Sequence, residues 1–179
     1  MASKPHHDAD PDAIQEFSSK DGFRLKPRAF NIVWGNDTRY WRIPARSTIP
    51  NDNDEFAELV QVSWLEVTGS VKLNTSTSYK LTFKLSFKSD AFGWTGCPVF
   101  LMAKLGKKGR YKWKRLKDLE ALPKEPITVP SADDPFVIEV PSENQLDTKL
   151  YFGLYEVWSG KWKGGLRVHE AIVQEIKKQ

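Results

Sequence analysis

The sequence predicts an all-β protein, a sandwich or barrel of antiparallel strands, from two observations. Apolar and aromatic residues recur at the two-residue period of β-strands, and stretches rich in Pro, Gly, Asn and Asp separate these runs. The chain has 179 residues, 40% of them hydrophobic, which is enough for one domain with a sizeable core. We expect a flexible, mainly polar leader over residues 1–22 and one domain over residues 23–179.

The clearest strand signal is a strict alternation over residues 79–88, where five apolar or aromatic residues alternate with Lys, Thr and Ser. This pattern is typical of a half-buried antiparallel strand. Shorter signals predict further strands near residues 30–34, 60–71, 98–103 and 136–140. Residues 150–158 are almost entirely apolar and predict a central strand. Residues 168–176 also match helical spacing, but their β-branched side chains favour a strand.

Few residues offer a fixed catalytic or metal site. His6 and His7 lie in the predicted leader, and His169 has no second ligand at a metal-binding spacing, so we expect no metal and no cofactor. The sequence contains no glycine-rich phosphate loop and no nucleophile elbow. Glycoside hydrolysis needs only two carboxylates, and spacing along a chain does not measure their separation. The candidates for such a pair are Glu58, Glu66, Glu139 and Glu156; our expectation is nevertheless that the protein is not an enzyme.

The single cysteine, Cys97, rules out an internal disulfide and favours a reducing compartment, the cytoplasm or the nucleus. We expect Cys97 itself to be buried as a small hydrophobic residue. No apolar run has the length of a membrane span, and the first residues lack the apolar core of a signal peptide. We therefore expect neither membrane insertion nor classical secretion.

Basic residues are concentrated in one segment of a chain whose formal net charge is +4. Residues 104–117 contain eight Lys or Arg and no acid, with Tyr111 and Trp113 between them. Cations interleaved with aromatic rings could bind nucleic acid, and the same segment could contact an acidic protein partner. A solvated hairpin loop explains the pattern more simply, so we do not favour nucleic acid as the partner.

Seven tryptophans give the sequence its main functional signal. Trp64 lies in an apolar run and is expected in the core, and so is Trp158. The other five have Gly or polar neighbours and are expected on loops or strand edges: Trp34, Trp41, Trp94, Trp113 and Trp162. An exposed ring presents a flat apolar face, which can stack on the C–H face of a pyranose.

The loop between Trp34 and Trp41 is the first candidate carbohydrate site. It is polar and includes Asn36 and Asp37, whose side chains could select the hydroxyl pattern of a sugar. For Trp34 taken alone, the favoured interpretation is that it ends a strand and packs inward. Two tryptophans around one polar loop favour a binding site.

Three ordered blocks of the sequence resemble the plant phloem lectins, known as phloem protein two, and the related tobacco-agglutinin type. They are FNIVWGNDTRYWRIP, AELVQVSWLEVTGSV and LYFGLYEVWSGKWKGGLRVHEAIV, and the resemblance extends from about residue 22 to residue 176. It implies a jelly-roll β-sandwich like those of many carbohydrate-binding modules. It also implies binding of N-acetylglucosamine oligomers or N-glycan cores on oligosaccharides or glycoproteins, without catalysis. Residence in the phloem, in cytoplasm and nucleus, and formation of homodimers are further implications.

The resemblance also assigns site residues. Trp34 and Trp41 match two tryptophans associated with the family's site, and Glu156 matches one of two acids. The other acid, seven residues earlier in the family pattern, is replaced by Lys149. Because Trp162 lies close to Glu156 in the sequence, we expect it at the rim of the same site.

Overall fold

The computed structural model describes residues 4–45, 55–143 and 146–177. These residues form thirteen β-strands and three short 3-10 helices, at Pro11–Ala13, Pro27–Ala29 and Lys117–Ala121. The described part of the chain has no helix long and apolar enough to cross a membrane. The strands are β1 Ile14–Glu16, β2 Gly22–Leu25, β3 Asn31–Ile32, β4 Trp41–Arg42, β5 Ala57–Leu59, β6 Leu65–Lys72, β7 Thr77–Phe92, β8 Phe100–Leu105, β9 Lys112–Arg115, β10 Ile127–Val129, β11 Phe136–Val140, β12 Lys149–Glu156 and β13 Gly164–Glu175.

The strands build two antiparallel sheets. The smaller sheet has the order β3-β6-β12-β8-β9, so β12 is its central strand, as its apolar sequence predicts. The larger sheet is centred on β13, which pairs with β7 on one side and with β2 and β5 on the other. Strands β1, β4, β10 and β11 complete it. The predicted antiparallel β-sandwich is therefore confirmed.

The core lies between the sheets and follows the two-residue alternation of the strands. Leu81, Phe83 and Leu85 point inward from β7, and Phe152 points inward from the central strand of the opposite sheet. The ring of Phe83 contacts Phe152 edge-on, at a centroid distance of 5.9 Å. Burial of this apolar surface is the main force that holds the sheets together. Cys97 is buried as predicted.

The segment predicted to be a flexible leader differs from that prediction in its described part. Strand β1 pairs with β2, and His7 forms a backbone bridge with Ile32. The His7 side chain is buried, with its Nδ1 atom 2.8 Å from the carbonyl oxygen of Phe30. These attachments use mainly backbone groups, so they leave no apolar periodicity in the sequence to reveal them.

Strand β13 begins with an irregularity that positions the loop before it. The register between β13 and β7 shifts between Gly164 and Leu166, and Gly165 has a φ of +92°. A β-carbon at Gly165 would lie 2.6 Å from the α-carbon of Ala91, so the close approach of the two strands requires glycine. Residues 157–163, which connect β12 to this point, are called the 157–163 loop below.

Candidate functional site

Three aromatic side chains form a row on the protein surface, called the Trp34 row below. The ring centroids of Trp34 and Tyr40 are 5.6 Å apart, and those of Tyr40 and Trp162 are 6.2 Å apart. Trp34 is 39% exposed and Trp162 is 52% exposed. Both distances lie in the range of favourable aromatic contacts. The structure thus brings together two of the predicted site residues, Trp34 and Trp162, through Tyr40, which the sequence analysis did not single out.

The loop after β3 and the first residues of the chain hold Trp34 in place. Trp34 adopts a left-handed conformation with a φ of +64°, which is uncommon for a residue with a side chain. Its backbone N–H donates a hydrogen bond to Nδ1 of His6 at 2.9 Å, and the His6 ring contacts the indole edge-on. The Asn36 side-chain amide donates to the carbonyl oxygens of Lys4 and His6.

Asp37 and Arg39 form the charged edge of the Trp34 row. The Arg39 guanidinium donates to both carboxylate oxygens of Asp37, with a shortest distance of 2.7 Å, and also lies over the Tyr40 ring at 5.2 Å. The side-chain hydrogen bonds from Arg39 hold the pKa of the Asp37 carboxyl below its ordinary value. Asp37 is therefore an ionised acceptor beside the row.

Trp41 does not belong to this surface, and its prediction as an exposed loop residue is wrong. It is 1% exposed and forms part of the core. Trp41 pairs with Leu59 in the β4–β5 ladder, and strand alternation turns Trp41 inward and Arg42 outward. Its polar sequence neighbours suggested exposure, but they occupy the opposite face of a two-residue strand.

The expected burial of Trp64 and Trp158 is also wrong, for a related reason. Trp64 is 46% exposed because it lies just before β6, whose first residue, Leu65, takes the inward position. Trp158 is 60% exposed because Glu156 ends β12 on the inward face and the chain then turns outward. Trp94 is half-buried and donates its indole N–H to the carbonyl of Gly164.

Glu156 is buried beneath the 157–163 loop in a closed network of polar contacts. Its Oε2 atom lies 2.5 Å from Nζ of Lys163 and accepts a hydrogen bond from the Ser159 hydroxyl, while Oε1 accepts from the Ser159 backbone N–H. Both Glu156 and Lys163 are at most 1% exposed. Lys163 also donates to the carbonyl oxygens of Ser63 and Lys161. Glu156 therefore positions the loop that carries Trp158 and Trp162.

Lys149, at which the resemblance leads one to expect an acid, lies at the other end of β12 from Glu156. Seven residues of extended strand separate their α-carbons by about 23 Å, and an odd spacing puts the two side chains on opposite faces. The Lys149 ammonium lies over the ring of Tyr151, 5.5 Å from its centroid. A single sugar unit at Glu156 could not reach Lys149, so the replacement does not bear directly on that position.

A second aromatic surface lies on the outer face of the smaller sheet, and we call it the Phe100 cleft. Trp113 and Trp158 contact Phe100 edge-on, with centroid distances of 5.5 and 5.3 Å. The two indoles are 63% and 60% exposed. The cleft has a volume of about 580 Å³ and is lined by Gly96, Pro98, Phe100, Met102, Trp113, Glu156, Trp158 and Ser159.

Sequence reasoning missed the Phe100 cleft, although one signal for it was present. In β8, Leu101 and Ala103 are buried, so Phe100 and Met102 lie on the outer face by alternation. Trp113 pairs with Met102 across the β8–β9 ladder and shares that face.

On the same face, burial raises the pKa of the Tyr155 phenol, and nearby Tyr111 and Glu66 add to this effect, so the phenol stays neutral.

The basic segment of residues 104–117 forms part of β8, the β8–β9 connection and the edge strand β9. Lys112 donates to the carbonyl of Val137 at 2.6 Å, and Lys114 pairs with Asp134 at 2.6 Å. Arg115 pairs with Glu120. These three cations are engaged with the protein itself.

The four acids considered for hydrolysis do not form a suitable pair within either sheet. Glu156 lies opposite Leu65 of β6, and Glu66 is the next residue of that strand. Because neighbouring residues of a strand point to opposite faces, Glu66 and Glu156 face opposite sides of the smaller sheet. In the larger sheet, the positions of Glu139 and Glu58 can be compared along β7. Glu139 lies opposite Ser78 of β7. Glu58 pairs with Arg167, which lies opposite Ser86 of β7. Eight residues of β7 correspond to about 27 Å, well beyond the separation used by glycosidases. Among the residues that the structure describes, no cluster of three metal ligands occurs.

A β-sandwich with two solvent-facing aromatic surfaces joined by one loop is the class of structure that these observations define. The family model of phloem protein 2 matches residues 20–174, so the chain belongs to the phloem protein 2 family. The resemblance carried by the three sequence blocks is thereby confirmed.

Two relatives and one solved structure are similar to this chain. The protein phloem protein 2-like A9 of Arabidopsis thaliana is 44% identical over 180 residues, which cover 96% of each chain. A lectin of Coccinia grandis is 37% identical over 87 residues, 45% of this chain and 52% of that protein. The Podospora anserina GH26-CBM35 β-(1,4)-mannanase matches with a TM-score of 0.52 and 6% identity, over 89% of this chain and 28% of that enzyme. This last similarity concerns the fold alone.

Proposed function

We propose that this protein is a lectin that binds carbohydrate through the Trp34 row and catalyses no reaction. The observation that carries the proposal is the row itself, in which exposed rings of Trp34 and Trp162 flank Tyr40 at 5.6 and 6.2 Å. Successive rings at such distances offer adjacent apolar platforms to neighbouring units of an oligosaccharide. Relatives that are named lectins support the same assignment.

The polar groups around the row suit hydroxyl and acetamide recognition. Asp37 is ionised and accepts hydrogen bonds from Arg39, whose guanidinium lies over the Tyr40 ring. We propose N-acetylglucosamine oligomers or N-glycan cores as ligands, since an acetamide N–H can donate to such a carboxylate and its methyl group can contact an indole. In this proposal Asn36 positions the loop, and Glu156 positions Trp162 without touching the sugar. Trp41 contributes to the core and not to the sugar-binding surface.

The test is a titration with chitotriose in which each indole N–H signal is followed by NMR. We expect the Trp162 signal to shift, and Trp34→Ala to weaken the affinity reported by Trp162 about tenfold, because stacking area is lost. Trp34 is exposed and already has a positive φ, so alanine adds no backbone strain there. Trp113→Ala, which removes an exposed indole from β9, outside the Trp34 row, is the matched control and should leave this affinity unchanged.

An unchanged Trp162 signal at millimolar chitotriose would contradict sugar binding at the Trp34 row. Equal affinity in the wild type and in Trp34→Ala would contradict it as well. Incubation with chito-oligosaccharides should yield no shorter products, and turnover would contradict the non-catalytic proposal. Occurrence in the phloem agrees with the family name, while a cytoplasmic or nuclear location and a homodimer stay predictions.

A further inference from the structure

We propose that the Phe100 cleft is a second carbohydrate site, one that takes a neutral pyranose with equatorial substituents between two indole rings. The site is separate from the Trp34 row, and the proposal does not depend on sugar binding at that row. Its volume of about 580 Å³ lies within the usual range of small-molecule sites, about 300–1,000 Å³.

Trp113 and Trp158 both line the cleft, and each meets Phe100 edge-on. Both indoles stand nearly perpendicular to Phe100, with interplanar angles of 73° for Trp113 and 86° for Trp158. The separation of the indole centroids cannot exceed the sum of their distances to Phe100, 5.5 and 5.3 Å. A ring held in van der Waals contact on both faces needs roughly 7 Å between the walls, which this limit permits.

The lining of the cleft favours a ligand without charge. Gly96, Pro98, Phe100, Met102 and the two indoles carry none, and Glu156 is neutralised by Lys163 at 2.5 Å. The Lys161 side chain lies beside Gly96, which lines the cleft, and its Nζ atom would be 3.3 Å from a β-carbon at Gly96. An ammonium group there can donate to a ring hydroxyl, which a sugar provides around its equator.

The stereochemistry of the ligand follows from two apolar walls. A β-linked pyranose with equatorial hydroxyls presents C–H groups on both faces, so both faces can lose water against indole. An axial hydroxyl would point into one wall and lose its hydrogen bonds to water without replacement. The cleft should therefore prefer cellotriose to β-1,4-mannotriose, which differ only in the orientation of the hydroxyl at C2.

The two sites share one structural support. Trp158 contributes to the Phe100 cleft and Trp162 to the Trp34 row, and the Glu156–Lys163 pair lies beneath the loop that carries both. A single chain would thus present two sugar sites at a fixed mutual orientation. Such a chain can engage two branches of one glycan, or two glycans, without forming a dimer.

The experiment follows the indole N–H signals of the full chain by NMR, assigned with single Trp→Phe variants, during titration with each trisaccharide. We expect cellotriose to shift the Trp113 and Trp158 signals together, with mannotriose binding at least about fivefold more weakly. Trp113→Ala should weaken the cellotriose affinity reported by Trp158 about tenfold. Both tryptophans are mostly exposed, so these variants should fold, which the remaining indole signals will verify.

Trp34→Ala is the matched control and should leave the affinity at Trp158 unchanged. If the sugars shift the Trp158 signal but never the Trp162 signal, the proposed function of the Trp34 row fails and the proposed site in the Phe100 cleft stands. The inference is overturned if cellotriose leaves Trp113 and Trp158 unshifted, if mannotriose binds equally well, or if Trp113→Ala has no effect. Octanoate that shifts these signals where cellotriose does not would also overturn it, because the cleft would then be a site for amphipathic anions.

Discussion

Glu156 and Lys163 form a buried ion pair beneath the 157–163 loop. Both side chains are almost fully removed from water, at a distance of 2.5 Å. Charges in such a position are tolerated only when they are paired and hydrogen-bonded, and Ser159 and two carbonyl groups complete their coordination. The pair therefore fixes the 157–163 loop at the cost of desolvating two ions.

Lys163→Met should lower the free energy of unfolding by about 3–5 kcal/mol, because it leaves the Glu156 carboxylate buried without a partner. The double variant Glu156→Gln/Lys163→Met should lose clearly less, since no unpaired charge remains. Urea unfolding of the wild type, both single variants and the double variant measures the coupling. Lys161→Met, an exposed lysine of the same loop, should change stability by less than about 0.5 kcal/mol. Additive effects of the two single changes would contradict the coupling.

Single residues also show where sequence reasoning reaches its limit. Trp34 and Trp162 were identified from their polar neighbours, and both are exposed. The same criterion failed for Trp41, since neighbours on a strand face the opposite side of the sheet. Lys163 could not be recognised as a buried cation because its partner Glu156 is brought to it only by the turn of the loop.

At the scale of single elements, β13 depends on a glycine at the point where it meets the 157–163 loop. Gly165→Ala should lower the free energy of unfolding by about 2 kcal/mol or more, because the new methyl group meets the backbone of Ala91 at 2.6 Å and the φ of +92° is strained for alanine.

Gly160 provides the matched control for that prediction. It has a φ of +68°, but nothing lies within 4 Å of the position that a β-carbon would take there, so Gly160→Ala should cost only the backbone strain, about 1 kcal/mol. Thermal or urea unfolding of both variants separates crowding from strain. If both variants lose the same free energy of unfolding, crowding against Ala91 contributes nothing to the cost of Gly165→Ala.

Long elements were predictable from sequence and short ones were not. Strand β7 spans sixteen residues, so its period is unmistakable, and β12 is apolar or aromatic between its charged ends because it is central. Strands β3 and β4 have two residues each, too few to display any period. Their positions depend on pairing with β6 and β5, which is information that no local window contains.

At the scale of the whole molecule, residues 7–16 are attached to both sheets. Strand β1 extends the larger sheet beside β2, while His7 bridges to Ile32 of the smaller one. A chain that begins at Gly22 should therefore be less stable by roughly 3 kcal/mol, through the lost hydrogen bonds and the exposed edge of β2. Differential scanning calorimetry of the full and shortened chains measures this difference.

His7→Ala tests the same attachment without shortening the chain and should produce a smaller loss, because β1 stays in place. The shortened chain should also bind chitotriose more weakly, since His6 and the backbone partners of Asn36 hold the loop of Trp34. If residues 1–21 act only as a flexible leader, stability and affinity will both be unchanged.

The basic residues of β9 have a consequence for the protein in concentrated solution. Strand β9 is an edge of the smaller sheet, and its unpaired backbone groups would invite pairing with the edge of another molecule. Its sequence, Lys-Trp-Lys-Arg, places three cations along only four residues of that edge. The side chains of Lys112 and Lys114 donate to the backbone carbonyl groups of Val137 and Asp134, so a strand that paired with this edge would have to approach past these contacts. We therefore expect the cluster that first suggested a nucleic-acid partner to disfavour edge-to-edge pairing of two copies of the sandwich.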